Sequence, residues 1–209
     1  MSPEPPPGEE PLETAPAGRI YRMAWWFYLV LSLAGIVWIG LRDGTVSLRL
    51  FFAPGGFLAP QGWWFDLFLG LACGASLLAA WAAASRWLPL ARRLEGQMGT
   101  LLGRLEPAEV VGLAVVSSLG EELFFRGALQ GSIGWLWATV LFALIHHGPG
   151  PAFRLWTLFA AIAGGLFGGL FLWRGNLLAP VVAHFLVNAV NLHRIARRGP
   201  STRGAGEAP

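Results

Sequence analysis

The sequence predicts an all-α polytopic integral membrane bundle of about six transmembrane helices. Three observations carry that expectation. Hydrophobic residues make up 55% of the 209-residue chain and charged residues only 13%. A soluble domain needs about 25% charged residues to cover its surface. Long apolar runs account for the difference, and they are punctuated by Trp, Arg and Gly-Pro rather than by strand alternation.

In chain order, residues 1–18 are rich in Pro and Glu and lack apolar periodicity, so disorder is expected there. They lack the basic start of a cleaved signal peptide. The first transmembrane helix is expected from Tyr21 to Leu41, with Trp25, Trp26 and Trp38 as interfacial anchors. Residues 42–62 read as a loop whose Leu50-Phe51-Phe52 stretch rests on the membrane surface. The second helix runs from Trp63 to Ala84. Residues 85–106 form the most charged interior segment, with Arg86, Arg92, Arg93 and Arg104. Pro107 suits the first turn of a third helix that extends to Gln130. A short fourth helix, Ile133 to His147, ends at Gly148-Pro149-Gly150-Pro151. The fifth, Phe153 to Trp173, carries Gly164, Gly165, Gly168 and Gly169, whose spacing lets a neighbouring helix approach closely. The sixth runs from Leu178 to His193 with Pro180 in its first turn, and a basic tail with Arg194, Arg197, Arg198 and Arg203 closes the chain.

The formal net charge is +3, but the first eighteen residues hold four Glu and no Arg, so the remainder is +7. With the N-terminus inside, eleven Arg fall on the inner side and four on the outer. That asymmetry favours both termini in the cytoplasm of a bacterial inner membrane. The Arg residues sit at helix ends rather than in one patch, which suits an anionic leaflet and argues against nucleic acid. The one cysteine, Cys73, lies in an apolar segment, so no intrachain disulfide is possible and its expected role is a small buried hydrophobe.

Within the apolar segments stand Glu121, Glu122, Arg126, His146, His147, His184, Asn188 and Asn191. An ionisable group at membrane depth costs about 3 kcal/mol on insertion scales and marks function by default. Glu122 and Arg126 are spaced i,i+4 and can pair on one helix face. Glu121 then points about 100° away, free for another task. The bland alternative is a charge-neutralised kink. Depth separates the two readings. From the loops at Gly131–Ser132 and Gly175–Asn176, Glu121 lies roughly 15 Å deep and His146 roughly 18 Å. His184 comes at about 8–11 Å and Asn188 at about 14–17 Å, and these two share a face at i,i+4. Three helices therefore bring a carboxylate, two imidazoles and an amide to similar depth. His147 and His193 sit at helix ends and read as interfacial.

A carboxylate with an imidazole can activate water as general base. A second imidazole and an amide can donate to the oxyanion that forms on a peptide carbonyl. This is hydrolysis without a Ser or Cys nucleophile, and it needs no cofactor. The competing site is a zinc ion held by Glu121, His146 and His184 with water in the open position, although the HExxH motif is absent. Two rivals of other classes are a catalytically silent immunity or scaffold protein and a small transporter whose buried Glu, Arg and His carry protons.

Glu121-Glu122-x-x-x-Arg126, then Phe142-x-x-x-His146, then His184-x-x-x-Asn188 resemble, in order and each on its own helix, the three motifs of the CPBP family of intramembrane proteases. That family includes the Rce1-like prenyl-protein (CAAX) endopeptidases and the bacterial Abi proteins. The resemblance covers roughly residues 106–193. It implies an intramembrane endopeptidase with Glu121 as the water-activating carboxylate, assisted by His146. It implies His184 and Asn188 as oxyanion stabilisers, Glu122 with Arg126 as support, and Phe142 packing the helix that carries His146. Residues 106–198 would then be the catalytic core, 19–105 two accessory transmembrane helices and a charged loop, and 1–18 and 199–209 disordered tails. The substrate implied is a membrane-associated protein or peptide. The chain has fewer helices than the eukaryotic enzyme and nothing that reports a prenyl cavity, so peptide maturation, bacteriocin self-immunity and sorting-signal removal all stand as roles.

Overall fold

The computed structural model describes residues 17–52, 62–103 and 105–198, and the described residues are helical with short connections. The expected tails, apart from residues 17 and 18, and residues 53–61 of the expected surface loop lie outside them, while Leu50 and Phe51 of that loop pack against Ile39, Leu123, Ala128 and Leu177 instead of resting on the membrane surface. The elements are α1 (Ala17–Asp43), a 3₁₀ turn (Leu48–Leu50), α2 (Trp63–Trp87), α3 (Pro89–Leu102), α4 (Pro107–Glu122), a π-helix (Leu123–Gln130), α5 (Gly131–Ile133), α6 (Trp135–Ile145), α7 (Pro151–Arg174) and α8 (Leu178–Arg198). Three of them, over Tyr21–Asp43, Trp63–Trp87 and Pro151–Arg174, are long and apolar enough to cross a membrane. The chain is an integral membrane protein.

Local chemistry sets most boundaries. α4 opens with Pro107 at its first position and a reciprocal capping box between Glu106 and Glu109. Leu88 is extended because it precedes Pro89, which breaks α2 from α3. The charged segment expected across 85–106 is therefore mostly helix. Arg92 and Arg93 face outward while Ala91 and Leu94 pack with Trp81 and Ala152, so α3 is an amphipathic helix laid across the ends of its neighbours. Glu95 is buried beneath it and accepts from Trp81 Nε1 at 3.0 Å and Ser85 Oγ at 2.8 Å.

The core is organised around α8, which packs on α2, α4, α7 and α3, while α1 leans on α4 and the π-helix. The α2–α8 seam is close because α2 offers glycine there. A Cβ on Gly70 would stand 2.6 Å from the Ala179 carbonyl oxygen and 2.7 Å from Val182 Cβ. Gly70→Val is expected to cost about 1–3 kcal/mol or more through overpacking, read as a lowered thermal midpoint of the detergent-solubilised protein. Far from α3, Asp66 of α2 is fully buried and pairs with Arg174 at the end of α7. Its other oxygen accepts from Asn176 Nδ2 at 3.0 Å, and Asn176 Oδ1 accepts from the Leu178 amide at 2.9 Å to start α8. One carboxylate thus ties together the ends of three helices.

The glycine-rich face of α7 was expected to admit a helix, and it does so in a particular way. Arg126 Nη2 donates to the Gly164 carbonyl at 3.1 Å, Gln130 Nε2 to Gly168 at 3.0 Å, and Trp135 Nε1 to Gly165 at 3.0 Å. A Cβ on Gly168 would lie 2.7 Å from Gln130 Oε1, so only glycine leaves that carbonyl open to a side chain. The π-helix in turn loosens its own carbonyls, and Arg42 from α1 takes two of them, Ala128 at 2.6 Å and Gly127 at 3.1 Å.

Candidate active site

Glu121 and Glu122 close α4, where the backbone widens into the π-helix, and they face different partners. Glu122 is fully buried. Its Oε2 lies 3.1 Å from Arg126 Nε, an ion pair that is not aligned as a hydrogen bond. Its Oε1 accepts from His184 Nδ1 at 2.8 Å. The Arg126 guanidinium also sits over the Phe142 ring, 4.4 Å from its centroid, so Phe142 packs the arginine as well as its own helix. Glu121 turns the other way. Its Oε2 is buried, receives no hydrogen bond among the described residues, and stands 3.7 Å from His146 Nε2 and 3.8 Å from His184 Nε2.

Hydrogen-bond accounting fixes the imidazoles. His146 Nδ1 lies 2.7 Å from the Phe142 carbonyl oxygen, which can only accept. His184 Nδ1 lies against a carboxylate oxygen, which also accepts. Both Nδ1 atoms therefore carry protons, and in each neutral ring the lone pair is on Nε2. Three acceptors, one carboxylate oxygen and two imidazole nitrogens, then converge on one point. Two carboxylates against one guanidinium also leave one negative charge uncompensated. Such a cluster is held by its surroundings rather than by its own attractions, which is a mark of function.

These groups line one cavity of about 280 Å³. Glu121, Phe142, His146, His184 and Asn188 all reach it, and Glu122 and Arg126 stand behind it. Asn188 is turned toward α4, where its Nδ2 donates to Ser117 Oγ at 2.9 Å. His147 bends instead to Thr157 Oγ1 at 3.2 Å, and Cys73 packs half-buried beside Leu77 and Phe167. The helices of 19–105, read from sequence as accessory, contribute Ala24, Tyr28, Met98 and Leu102 to the wall. The Tyr28 phenol interacts with the Glu121 carboxylate, a contact with no signal in the sequence beyond a lone hydroxyl among tryptophans. The His184–Glu122 bond was also unforeseen, because the spacing of Glu122 and Arg126 already explained both.

Zinc would ask for a particular spacing of these donors. Donors held tetrahedrally at about 2.0–2.1 Å from zinc lie about 3.4 Å apart. The Glu121–imidazole separations of 3.7 and 3.8 Å are wider. Among the described residues no three His, Cys, Asp or Glu side chains are set as a metal-holding group. The arrangement is therefore wider than zinc spacing.

Residues 104–190 match the family described as type II CAAX prenyl endopeptidase Rce1-like. The uncharacterized protein YpbD of Bacillus subtilis (strain 168) is 29% identical over 122 residues, which cover 58% of this chain and 64% of that relative. The chain thus matches less than two thirds of the curated relative's length. No solved structure matches. The stretch that is similar to this family, residues 104–190, carries Glu121, His146 and His184.

Proposed function

We propose that the protein is an intramembrane endopeptidase that hydrolyses a peptide bond of a membrane-associated protein or peptide with water activated at Glu121. The observation that carries this reading is the convergence of Glu121 Oε2 with two imidazole Nε2 atoms at 3.7 and 3.8 Å inside a half-enclosed cavity. A water there donates one proton to Glu121 and the other to an imidazole, and turns its own lone pair outward to a carbonyl. Glu121, with His146 Nε2 beside it, takes the proton as hydroxide adds to the carbonyl carbon. The oxyanion receives an N–H of Asn188 and, where His184 enters the cycle with both ring nitrogens protonated, its Nε2–H, a proton that His184 keeps throughout. Collapse breaks the C–N bond, and the proton held at Glu121 passes to the leaving nitrogen. Glu122 and Arg126 keep His184 oriented throughout.

The lining runs from Glu121 and His184 through Ser117, Leu113, Asn191 and Ile195 to Met98 and Leu102, toward the end that bears exposed Arg22, Arg92, Arg93, Arg194 and Arg197. By the positive-inside rule that end is cytoplasmic, and the substrate enters from there with both termini of the protease on the same side.

The test compares membrane-protein termini by mass spectrometry in cells with the wild-type gene, without it, and with Glu121→Ala or His184→Ala. New termini that need both side chains are expected, and they should persist after exhaustive chelation of purified protein. Unchanged biological activity of both variants would assign the fold to a silent immunity or scaffold role. Stoichiometric zinc with chelator-sensitive cleavage would replace the glutamate mechanism.

A further inference from the structure

Asn188 reaches the cavity from α8 with an amide that can present either an N–H or an oxygen, and only the first would serve an oxyanion. Its neighbour decides which. Ser117 Oγ donates its one proton to the Ala114 carbonyl at 3.3 Å within α4. That leaves Ser117 only as an acceptor toward Asn188, 2.9 Å away, so the amide nitrogen must be the nearer atom. Turning the amide over would bring two acceptors together or pull the hydroxyl off Ala114, and either way one hydrogen bond is lost. One N–H of Asn188 is thus committed to Ser117, and the second is left for the cavity that both residues line.

We propose that Ser117 is a positioning residue: its committed hydroxyl orients the Asn188 amide so that the free N–H, not the oxygen, meets the developing oxyanion. The inference rests on the proteolytic reading of this site. Ser117 is itself buried on α4, one turn before Glu121, so the carboxylate that activates water and the hydroxyl that orients the amide share one rigid element.

The experiment measures kcat and KM of the purified full-length protein on a peptide spanning a cleavage site found by the comparison of termini. Ser117→Ala and the similarly sized Ser117→Cys, whose sulfur is a weak acceptor, are expected to lower kcat by about tenfold with KM within about twofold, a fraction of what losing a whole oxyanion donor costs. Ser117→Thr keeps the hydroxyl and should stay within about threefold of wild type. In an Asn188→Ala background, Ser117→Ala should change nothing further, because the amide it orients is gone. Wild-type kcat in both Ser117→Ala and Ser117→Cys, an effect confined to KM, or an additional loss in the Asn188→Ala background overturns the inference while leaving the protease intact. No cleavage by the wild-type protein overturns the proteolytic reading and this inference with it.

Discussion

Glu121→Gln is expected to lower the cleavage rate by about 10⁴-fold while leaving the protein at least as stable as wild type. The loss follows from chemistry, since an amide cannot take the proton of the attacking water. The retained stability follows from the convergence of acceptors. In the wild type Glu121 Oε2 faces two imidazole nitrogens and no donor among the described residues. A glutamine amide there donates to them and removes an uncompensated charge, so the usual exchange of stability for activity is relieved. Paired measurements, cleavage rate and thermal midpoint in the same detergent, check both halves. A rate above one tenth of wild type would remove Glu121 from the mechanism.

Arg126→Ala carries the other large effect, on folding. The guanidinium is almost fully buried beside Glu122, which has no exposure at all. Removing it strands a carboxylate that His184 Nδ1 alone then serves, at a cost of about 3–5 kcal/mol. The expected result is a sharp fall in folded protein recovered from membranes. Removing both charges, as Glu122→Leu/Arg126→Leu, should recover much of the yield, because a buried pair is worth little against apolar packing. Activity should not return, since His184 has then lost the acceptor that sets its tautomer. Recovery of cleavage in the double variant would show that Glu122 serves only as a counter-ion.

The sequence stated much of this arrangement and was silent on the rest for identifiable reasons. His184 and Asn188 share a face because one α-helical turn separates them, and Glu121 diverges from Glu122 because adjacent residues must. Those relations are local, so spacing suffices. The α3 helix was hidden because Arg86, Arg92 and Arg93 dominate a short stretch, although Leu90, Ala91, Leu94 and Met98 already trace one apolar side. Nothing in LFFRGALQ announces a π-helix, whose widened turn depends on Arg42 arriving from α1 to take two carbonyls. Tyr28 and Ser117 were missed because a hydroxyl acquires meaning only from what a distant helix sets against it.

The Asp66–Arg174–Asn176 knot fastens α2, α7 and α8 at the end remote from the cavity mouth. There, a charged pair and an amide leave the helix ends no freedom to slide. At the opposite end the Trp81 indole and the Ser85 hydroxyl of α2 meet Glu95 of α3. Three helices are thus stapled like a sheaf at their base, away from the Arg-bearing rim. A motion that opens the cavity would have to pivot about that staple, since sliding α2, α7 or α8 there would strand a buried carboxylate.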